Sequence, residues 1–333
     1  MCDSRPTTVD STMDSCAGGT DRREFLQRVC AGALAVAGGQ AVWPAACAAQ
    51  EKNAAPASAP PLPTIRLGRY ELTRLIAGAN PVEGYSHSSN NLSRHMQEYF
   101  TLERTVEYVR RCEQAGINTW QTGHGPAERT LQTLRIVRES GSKIHWFCLG
   151  YESEKLKPLS EVLAYKPIAI VHHGGETDGL FRSGQAEKVH DFVKKVHDAG
   201  VMAGISTHNP ANLAYAEEKG WENDFFMACL YQVSRPMEEI RKKLGTAILD
   251  EPFLESDRDD MTAVIQKARK PCLAFKILAA GRLCGSASSV ESAFQYAYSR
   301  IKPSDGVIVG MYPKFSDEIA FNTQLALKYG KPA

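Results

Sequence analysis

Short apolar runs alternate with amphipathic stretches along most of this chain. Eight runs are five to seven residues long, which suits strands buried on both faces. The predicted strands are 75–79, 117–121, 144–149, 168–172, 201–206, 225–231, 272–278 and 306–310. Apolar positions at helical spacing predict helices over 102–115, 127–139, 185–199, 210–219, 261–267 and 290–300. The alternation indicates an α/β protein with a parallel sheet.

The boundaries between these segments carry turn and cap signals. Gly116, Gly200 and Gly220 each follow a predicted helix and precede a predicted strand, as helix-ending glycines do. Eight strand–helix units over about 265 residues favour a single (β/α)8 TIM barrel, whose usual size is about 250 residues. A doubly wound open sheet would carry a G-x-G-x-x-G turn after its first strand, and residues 78–84 do not supply one.

The segment before the first long helix is polar. Residues 85–97 predict an extended loop over the barrel mouth, either a lid or a subunit contact, and the helix after it is expected to start near residue 98. Composition is ordinary for a globular protein, with 333 residues, 43% hydrophobic and 23% charged. A net charge of +1 gives no reason to expect nucleic acid or an anionic membrane as a partner.

The N-terminal region predicts an export signal. Arg22-Arg23 followed by Phe25-Leu26, a short Ala- and Gly-rich apolar run, and Ala46-Cys47-Ala48 are typical of a twin-arginine signal peptide. We therefore expect a signal over 1–48, a flexible linker over 49–64 and a catalytic barrel over 65–330. The export machinery would be a partner, and the destination periplasmic or otherwise extracytoplasmic. Lipidation of Cys47 is the weaker alternative, and membrane contact would otherwise be transient.

Cysteines do not form a disulfide framework in this sequence. Five of the nine follow residue 48, an odd number, and there is no C-x-x-C pair. Cys148, Cys229 and Cys272 fall in apolar strands, where they are predicted to be small buried hydrophobic residues.

Residues 116–125 carry a family resemblance. They read Gly-Ile-Asn-Thr-Trp-Gln-Thr-Gly-His-Gly, which resembles the second strand and catalytic loop of the aldo-keto reductases. The strand ending in His172, Gly204-Ile205-Ser206, residues 278–283 and residues 307–311 are similar to the family's fourth, fifth, seventh and eighth strands, in that order. The similarity covers roughly residues 67 to 327.

The resemblance implies a TIM barrel whose reductase tetrad is mostly replaced. Gln121 stands where the family has its Asp, no Tyr follows in the loop, and His172 is the counterpart of the substrate-facing His. It also implies a nicotinamide contact through Lys314 and Asn322, so NAD(P) is one candidate cofactor. Free nicotinamide is scarce outside the cytoplasm, and only a tightly held cofactor would suit an exported protein.

The ends of the predicted strands supply the candidate site, because the working residues of a barrel lie there. His172, His124 and Gln121 are the predicted catalytic residues. Asn80, His208, Tyr231 and Gln232 are predicted to bind a small carbonyl or sugar-like substrate. Strand alternation sends only one of His172 and His173 inward. Lys276 is either a Schiff-base amine or a structural charge inside the barrel.

Three functions remain open from the sequence. His124, Glu152, His173 and His208 could hold a divalent metal that assists isomerisation, epimerisation or elimination. The same histidines could instead perform acid–base chemistry without a metal. The alternatives are a nicotinamide-dependent oxidoreductase with a relocated proton donor, and a non-catalytic binding protein on a reductase frame.

Overall fold

A computed structural model describes residues 60–124, 128–150 and 159–331, apart from the side chain of His124. The predicted signal peptide with Cys47, and the linker up to residue 59, lie outside the described residues. Over the described ranges, no helix is both long and apolar enough to cross a bilayer.

Eight parallel strands close into a barrel, which confirms the predicted fold class. They are β3 (Leu75–Gly78), β4 (Thr119–His124), β5 (His145–Gly150), β6 (Ala169–His172), β7 (Met202–Thr207), β8 (Phe225–Cys229), β9 (Cys272–Phe275) and β10 (Gly306–Gly310). Strand β10 pairs with β3 in parallel, with Val307 opposite Leu75, and this pairing completes the ring. Most strand residues are buried because the barrel interior covers one face and the helices cover the other.

Large side chains fill the barrel interior. Phe147 and Phe225 lie edge to face, with ring centroids 5.9 Å apart, in one cluster with Val171, Met227 and Leu273. An ideal Cβ at Gly204 would lie 2.8 Å from the Phe225 ring. The lower barrel is therefore a packed core, and a substrate can enter only at the mouth.

A short hairpin precedes the barrel and was not predicted. Strands β1 (Thr64–Leu67) and β2 (Tyr70–Thr73) pair antiparallel. Their residues Ile65, Leu67 and Leu72 are buried in the same cluster as the inward barrel side chains. Because β2 leads directly into the start of β3, the hairpin closes the amino-terminal end of the barrel.

Twelve α-helices occur in the described part of the chain. They are α1 (Asn80–Glu83), α2 (Asn90–Tyr99), α3 (Leu102–Gln114), α4 (Glu128–Glu139), α5 (Leu159–Ala164), α6 (Gly174–Arg182), α7 (Glu187–Asp198), α8 (Pro210–Glu218), α9 (Met237–Leu244), α10 (Asp257–Lys267), α11 (Ala287–Arg300) and α12 (Glu318–Tyr329).

The prediction of an extended loop over 85–97 was wrong from residue 90 onward, and residues 85–89 are a loop. Ser89 caps helix α2 by accepting a hydrogen bond from the Leu92 amide, and the helix then runs to Tyr99. The expected start of the next helix near residue 98 was also wrong, because Thr101 caps α3 through the Arg104 amide. Two Ser/Thr caps therefore divide a polar stretch in which apolar periodicity gave no signal.

Candidate functional site

A cavity of about 700 Å³ opens at the carboxyl ends of the strands. Four of the predicted site residues line it, each near the end of a different strand: Asn80, Gln121, His173 and His208. Lys276, a candidate amine from the sequence, also lines the cavity, and several lining residues were not predicted as site residues, among them Ser206, His87, Glu251 and Glu318. The wall of the cavity is therefore mostly apolar and carries a few polar groups, as is common in ligand sites.

His208 is held by a buried carboxylate. Its Nδ1 lies 2.8 Å from Oδ2 of Asp178, whose side chain is only 2% exposed. His208 follows β7, and Asp178 lies on helix α6, so two successive units of the barrel supply the pair. An ideal Cβ at Gly174 would lie 3.0 Å from Cε1 of His208, so the absence of a side chain there lets the ring approach the start of α6.

Asp178 is ionised in this setting. Its Oδ1 accepts hydrogen bonds from the hydroxyl of Thr207 at 2.5 Å and the amide of Asn212 at 2.9 Å, and its Oδ2 accepts one from the His208 backbone at 3.2 Å. Burial raises the pKa of Asp178, but the hydrogen bonds that its carboxylate accepts from His208 and Thr207 outweigh burial and leave the pKa below its ordinary value. A carboxylate bound this way fixes a hydrogen on Nδ1 of His208 and leaves Nε2 as the acceptor.

The predicted catalytic His172 lies elsewhere. Its Nδ1 is 2.7 Å from the Thr177 hydroxyl, and its ring packs edge to face on Phe192 of helix α7, with centroids 5.0 Å apart. His172 is buried and does not line the cavity, whereas His173 does. Of the two histidines, it is His173 that lines the cavity, and the catalytic role expected for His172 stays a prediction.

Tyr231 and Gln232 do not line the cavity either. Strand β8 ends at Cys229, two residues earlier than predicted, so the strand direction no longer aims them at the mouth. Tyr231 is buried against Phe253, with ring centroids 5.1 Å apart, and burial raises its pKa to about 12. The Gln232 side chain accepts a hydrogen bond from Arg235 at 2.8 Å. Both contact protein groups instead of the cavity.

A second group of hydrogen-bonded polar side chains lies across the mouth of the cavity. Nδ2 of Asn80 lies 3.2 Å from Nε2 of His87, and Nδ1 of His87 lies 2.9 Å from Oε1 of Glu251. Arg282 reaches the His87 carbonyl at 3.0 Å and the carboxylate of Asp250 at 2.6 Å. The segment carrying Glu251 is thereby bonded across the mouth to the loop between α1 and α2.

Two carboxyl groups beside the cavity titrate near neutrality. Burial raises the pKa of Glu318 to about 7, although the Tyr312 amide donates a hydrogen bond to it at 2.7 Å. Burial likewise raises the pKa of Glu83 to about 7, against the opposing effects of the Gly123 amide and the charge of Arg129. Glu318 lines the cavity, so it is a group of variable charge at the site.

Gln121 lies at the cavity and its side-chain amide donates to the carbonyl of Thr122. The side chain of Gln121 is an uncharged amide, so its contribution here is a neutral hydrogen bond.

The residues predicted to contact a metal or a nicotinamide lie in different places. Glu152 lies outside the described residues and so does the side chain of His124, while His173 and His208 both line the cavity. Among the described residues there is no group of three or more His, Cys, Asp or Glu placed to hold a metal ion. Lys314 is exposed with its Nζ beside His95, Asn322 is buried in α12, and neither lines the cavity. Their nicotinamide contact stays a prediction.

No protein-family model matches the sequence, and no curated protein is similar enough to match it. The fold is distantly similar to solved TIM-barrel structures. A Pseudomonas aeruginosa protein assigned to the aldo-keto reductases is 13% identical with a TM-score of 0.49, over 79% of this chain and 95% of that one. A truncated 3-deoxy-D-arabino-heptulosonate 7-phosphate synthase from Thermotoga maritima is 14% identical with a TM-score of 0.47, over 81% and 91%.

A dihydropteroate synthase from Thermus thermophilus is 14% identical with a TM-score of 0.43, over 80% of this chain and 99% of the synthase. These proteins carry out different chemistry on one architecture, so the comparison assigns no reaction to this chain. What the chain does must be argued from its own cavity.

Proposed function

We propose that this chain is a barrel enzyme in which His208 moves a proton on a small carbonyl- or hydroxyl-bearing substrate. The Asp178–His208 pair at the mouth of the cavity carries the proposal. The reaction would be an isomerisation, epimerisation or elimination, since these need a base beside a carbonyl but no hydride.

The pair fits the role of a general base. With its Nδ1 hydrogen directed at Asp178, His208 keeps a lone pair on Nε2, and Asp178 stabilises the imidazolium that forms when Nε2 takes a proton. The side chain of His208 is 12% exposed, so its ring reaches the cavity while being largely shielded from water. Asn80 and Gln121 line the same cavity and are suited to hydrogen-bond substrate hydroxyls.

Hydrogen exchange from solvent tests this proposal. The protein is incubated in D₂O with a panel of small hydroxyaldehydes and hydroxyketones, and mass spectrometry measures deuterium at the carbon beside the carbonyl. We expect the wild-type protein to exceed the buffer rate for at least one compound. His208→Gln should lower that rate by about 10²–10⁴-fold, the usual contribution of general base catalysis.

His197→Gln is the matched control. Nε2 of His197 lies 2.8 Å from Asp224, so it is also a histidine–carboxylate pair, but it does not line the cavity. We expect this variant to exchange at the wild-type rate. Equal rates in wild type and His208→Gln, or no exchange with any compound, would contradict the proposal.

We also propose that the frame derives from the aldo-keto reductases and that the protein is exported by the twin-arginine route. The residues 116–125 and the paired arginines Arg22 and Arg23 support these statements. Replacing both arginines with lysine should retain the protein in the cytoplasm on cell fractionation. Export that persists in this variant would contradict the second statement.

A further inference from the structure

Lys276 occupies a strained position at the cavity. Strand β9 ends at Phe275, and Lys276 then adopts φ +56°, in the left-handed region that non-glycine residues seldom enter. His87 and Ala280 also have positive φ values, and all three line the cavity. Such backbone is strained and persists where surrounding structure enforces it, commonly at functional sites.

The amine of Lys276 is buried without a hydrogen bond. Among the described residues, its Nζ has no hydrogen-bond partner and is fully shielded from water. The Phe253 ring lies over it, with 5.9 Å between Nζ and the ring centroid. An ammonium group carries three donors, so leaving all of them unused would strongly favour loss of the proton.

The surrounding charges do not restore the ammonium form. Burial lowers the pKa of Lys276, Cys229 and Glu251 oppose this, and Arg282 adds to it. Burial raises the pKa of Cys229 to about 12, so its thiol is uncharged at neutral pH. The charge of Glu251 favours the ammonium form and the charge of Arg282 opposes it. A neutral amine is the form that attacks a carbonyl.

We propose that Lys276 binds a small aldehyde or ketone covalently, as an imine, in this cavity. The nitrogen lone pair attacks the carbonyl carbon to form a carbinolamine, the carbonyl oxygen then leaves as water, and a C=N bond remains. The inference rests on the proposed function for its substrate class. It deepens that function, because protonating the imine nitrogen acidifies the neighbouring C–H.

His208 would take the proton from that carbon. The C–H bond breaks, its electron pair forms a C=C bond, and the C=N pair moves onto nitrogen to give an enamine. Returning a proton to the same carbon from the opposite face regenerates the imine of the epimer, and hydrolysis of that imine releases Lys276. No oxidant or reductant is consumed.

Phe253 lies beside the buried amine and is itself in contact with Arg282. The guanidinium carbon of Arg282 lies 4.0 Å from the centroid of Phe253, and Arg282 also binds Asp250 at 2.6 Å. Phe253 in turn lies over Nζ of Lys276. A carbonyl compound therefore reaches the amine when the Phe253 side chain turns aside, and the arginine contacts oppose that movement.

Borohydride trapping tests the inference. The full chain is incubated at pH 7 with glyoxylate, and separately with dihydroxyacetone, in the presence of sodium cyanoborohydride, which reduces an imine to a stable secondary amine. Intact mass and peptide mapping locate the adduct. We expect one adduct per chain on Lys276, because only about one in 2,500 ordinary lysines is uncharged at this pH.

Three variants provide the controls. Lys276→Met fills the same space without an amine, and Lys276→Arg keeps a cation that forms no imine; both should lose the adduct. Lys314→Met removes an exposed lysine and should leave trapping unchanged. Circular dichroism establishes that each variant is folded.

The outcomes separate the two proposals. The lysine inference is overturned if trapping is spread evenly over surface lysines, or if it is absent at Lys276 in folded protein. This holds even where hydrogen exchange that depends on His208 persists. Trapping at Lys276 that survives His208→Gln supports the inference independently of the base. Trapping at Lys276 without any exchange in the wild type would support the covalent site and contradict the proposed acid–base role.

Discussion

Asp178→Asn should abolish the base function of His208 while leaving the barrel folded. The amide nitrogen of the new side chain would face Nδ1 of His208, where Oδ2 of Asp178 now lies 2.8 Å away. An amide N–H donates, so Nδ1 becomes the acceptor and the hydrogen moves to Nε2. That tautomer cannot take a proton from substrate, and the loss expected for a wrong-tautomer histidine is about 10³–10⁴-fold.

The cost to stability follows from the contacts of Asp178. Oδ1 keeps its hydrogen bonds from Thr207 and Asn212 in the variant, because an amide oxygen also accepts. The backbone N–H of His208, 3.2 Å from Oδ2, would instead meet another donor. One lost charge-assisted hydrogen bond and one unsatisfied donor should lower the free energy of unfolding by about 1–3 kcal/mol.

The pH dependence has a definite sign. The pKa of Asp178 lies below its ordinary value in the folded protein, so the ionised carboxylate stabilises the fold above the ordinary value of 3.8. That stabilisation is lost as the pH falls through the depressed pKa. Asp178→Asn removes this contribution, so wild type and variant should converge in stability in strong acid.

Three measurements check this prediction. Nitrogen-15 NMR of the histidine rings should show hydrogen on Nδ1 of His208 in wild type and on Nε2 in the variant. Urea unfolding gives the stability change, and deuterium exchange gives the rate. Asp224→Asn is the control, because Asp224 accepts from His197 and from the Ala203 amide away from the cavity. Wild-type exchange in Asp178→Asn, or an unchanged His208 tautomer, would refute the reasoning.

Two further predictions concern charge and packing. Because burial raises the pKa of Glu83 to about 7, this carboxyl should lower the free energy of unfolding by about 2–3 kcal/mol as the pH rises from 4.5 to beyond 7. Urea unfolding of Glu83→Gln at pH 5 and pH 8 should show a smaller fall, and a fall equal to wild type would contradict this. Gly204→Ala should cost about 1–3 kcal/mol, since its Cβ would meet Phe225 at 2.8 Å, whereas the helical Gly179→Ala, with open space, should stabilise by about 0.5–1 kcal/mol. Thermal unfolding that ranks this pair the other way would refute the packing argument.

The sequence predicts the barrel because each buried strand leaves an apolar run of its own. It does not predict the hairpin of β1 and β2, whose four-residue strands are too short for a clear period and adjoin an Ala- and Pro-rich stretch. The extended loop expected over 85–97 was wrong from residue 90 onward for a related reason, since helix α2 depends on a cap and not on an apolar stripe.

The site is only partly predictable for geometric reasons. The sequence predicts the location of His208, Gln121 and Asn80, because a parallel barrel places the carboxyl end of every strand at the mouth. Successive side chains of a strand point to opposite faces, so the sequence must fix the register of the strand to choose between His172 and His173. An error of one residue in that register exchanges the two histidines. Asp178 is on a helix and Glu251 is in a distant loop, so only the three-dimensional structure brings them to His208 and His87.

The central claim is that substrate binds at the carboxyl end of the barrel, beside His208. The most direct measurement is a crystal structure of the protein carrying the reduced dihydroxyacetone adduct. We expect the carbon chain bonded to Nζ of Lys276, with the carbon that exchanges its hydrogen about 3–3.5 Å from Nε2 of His208. A chain that points away from His208, or an adduct bound only outside the cavity, would contradict the account.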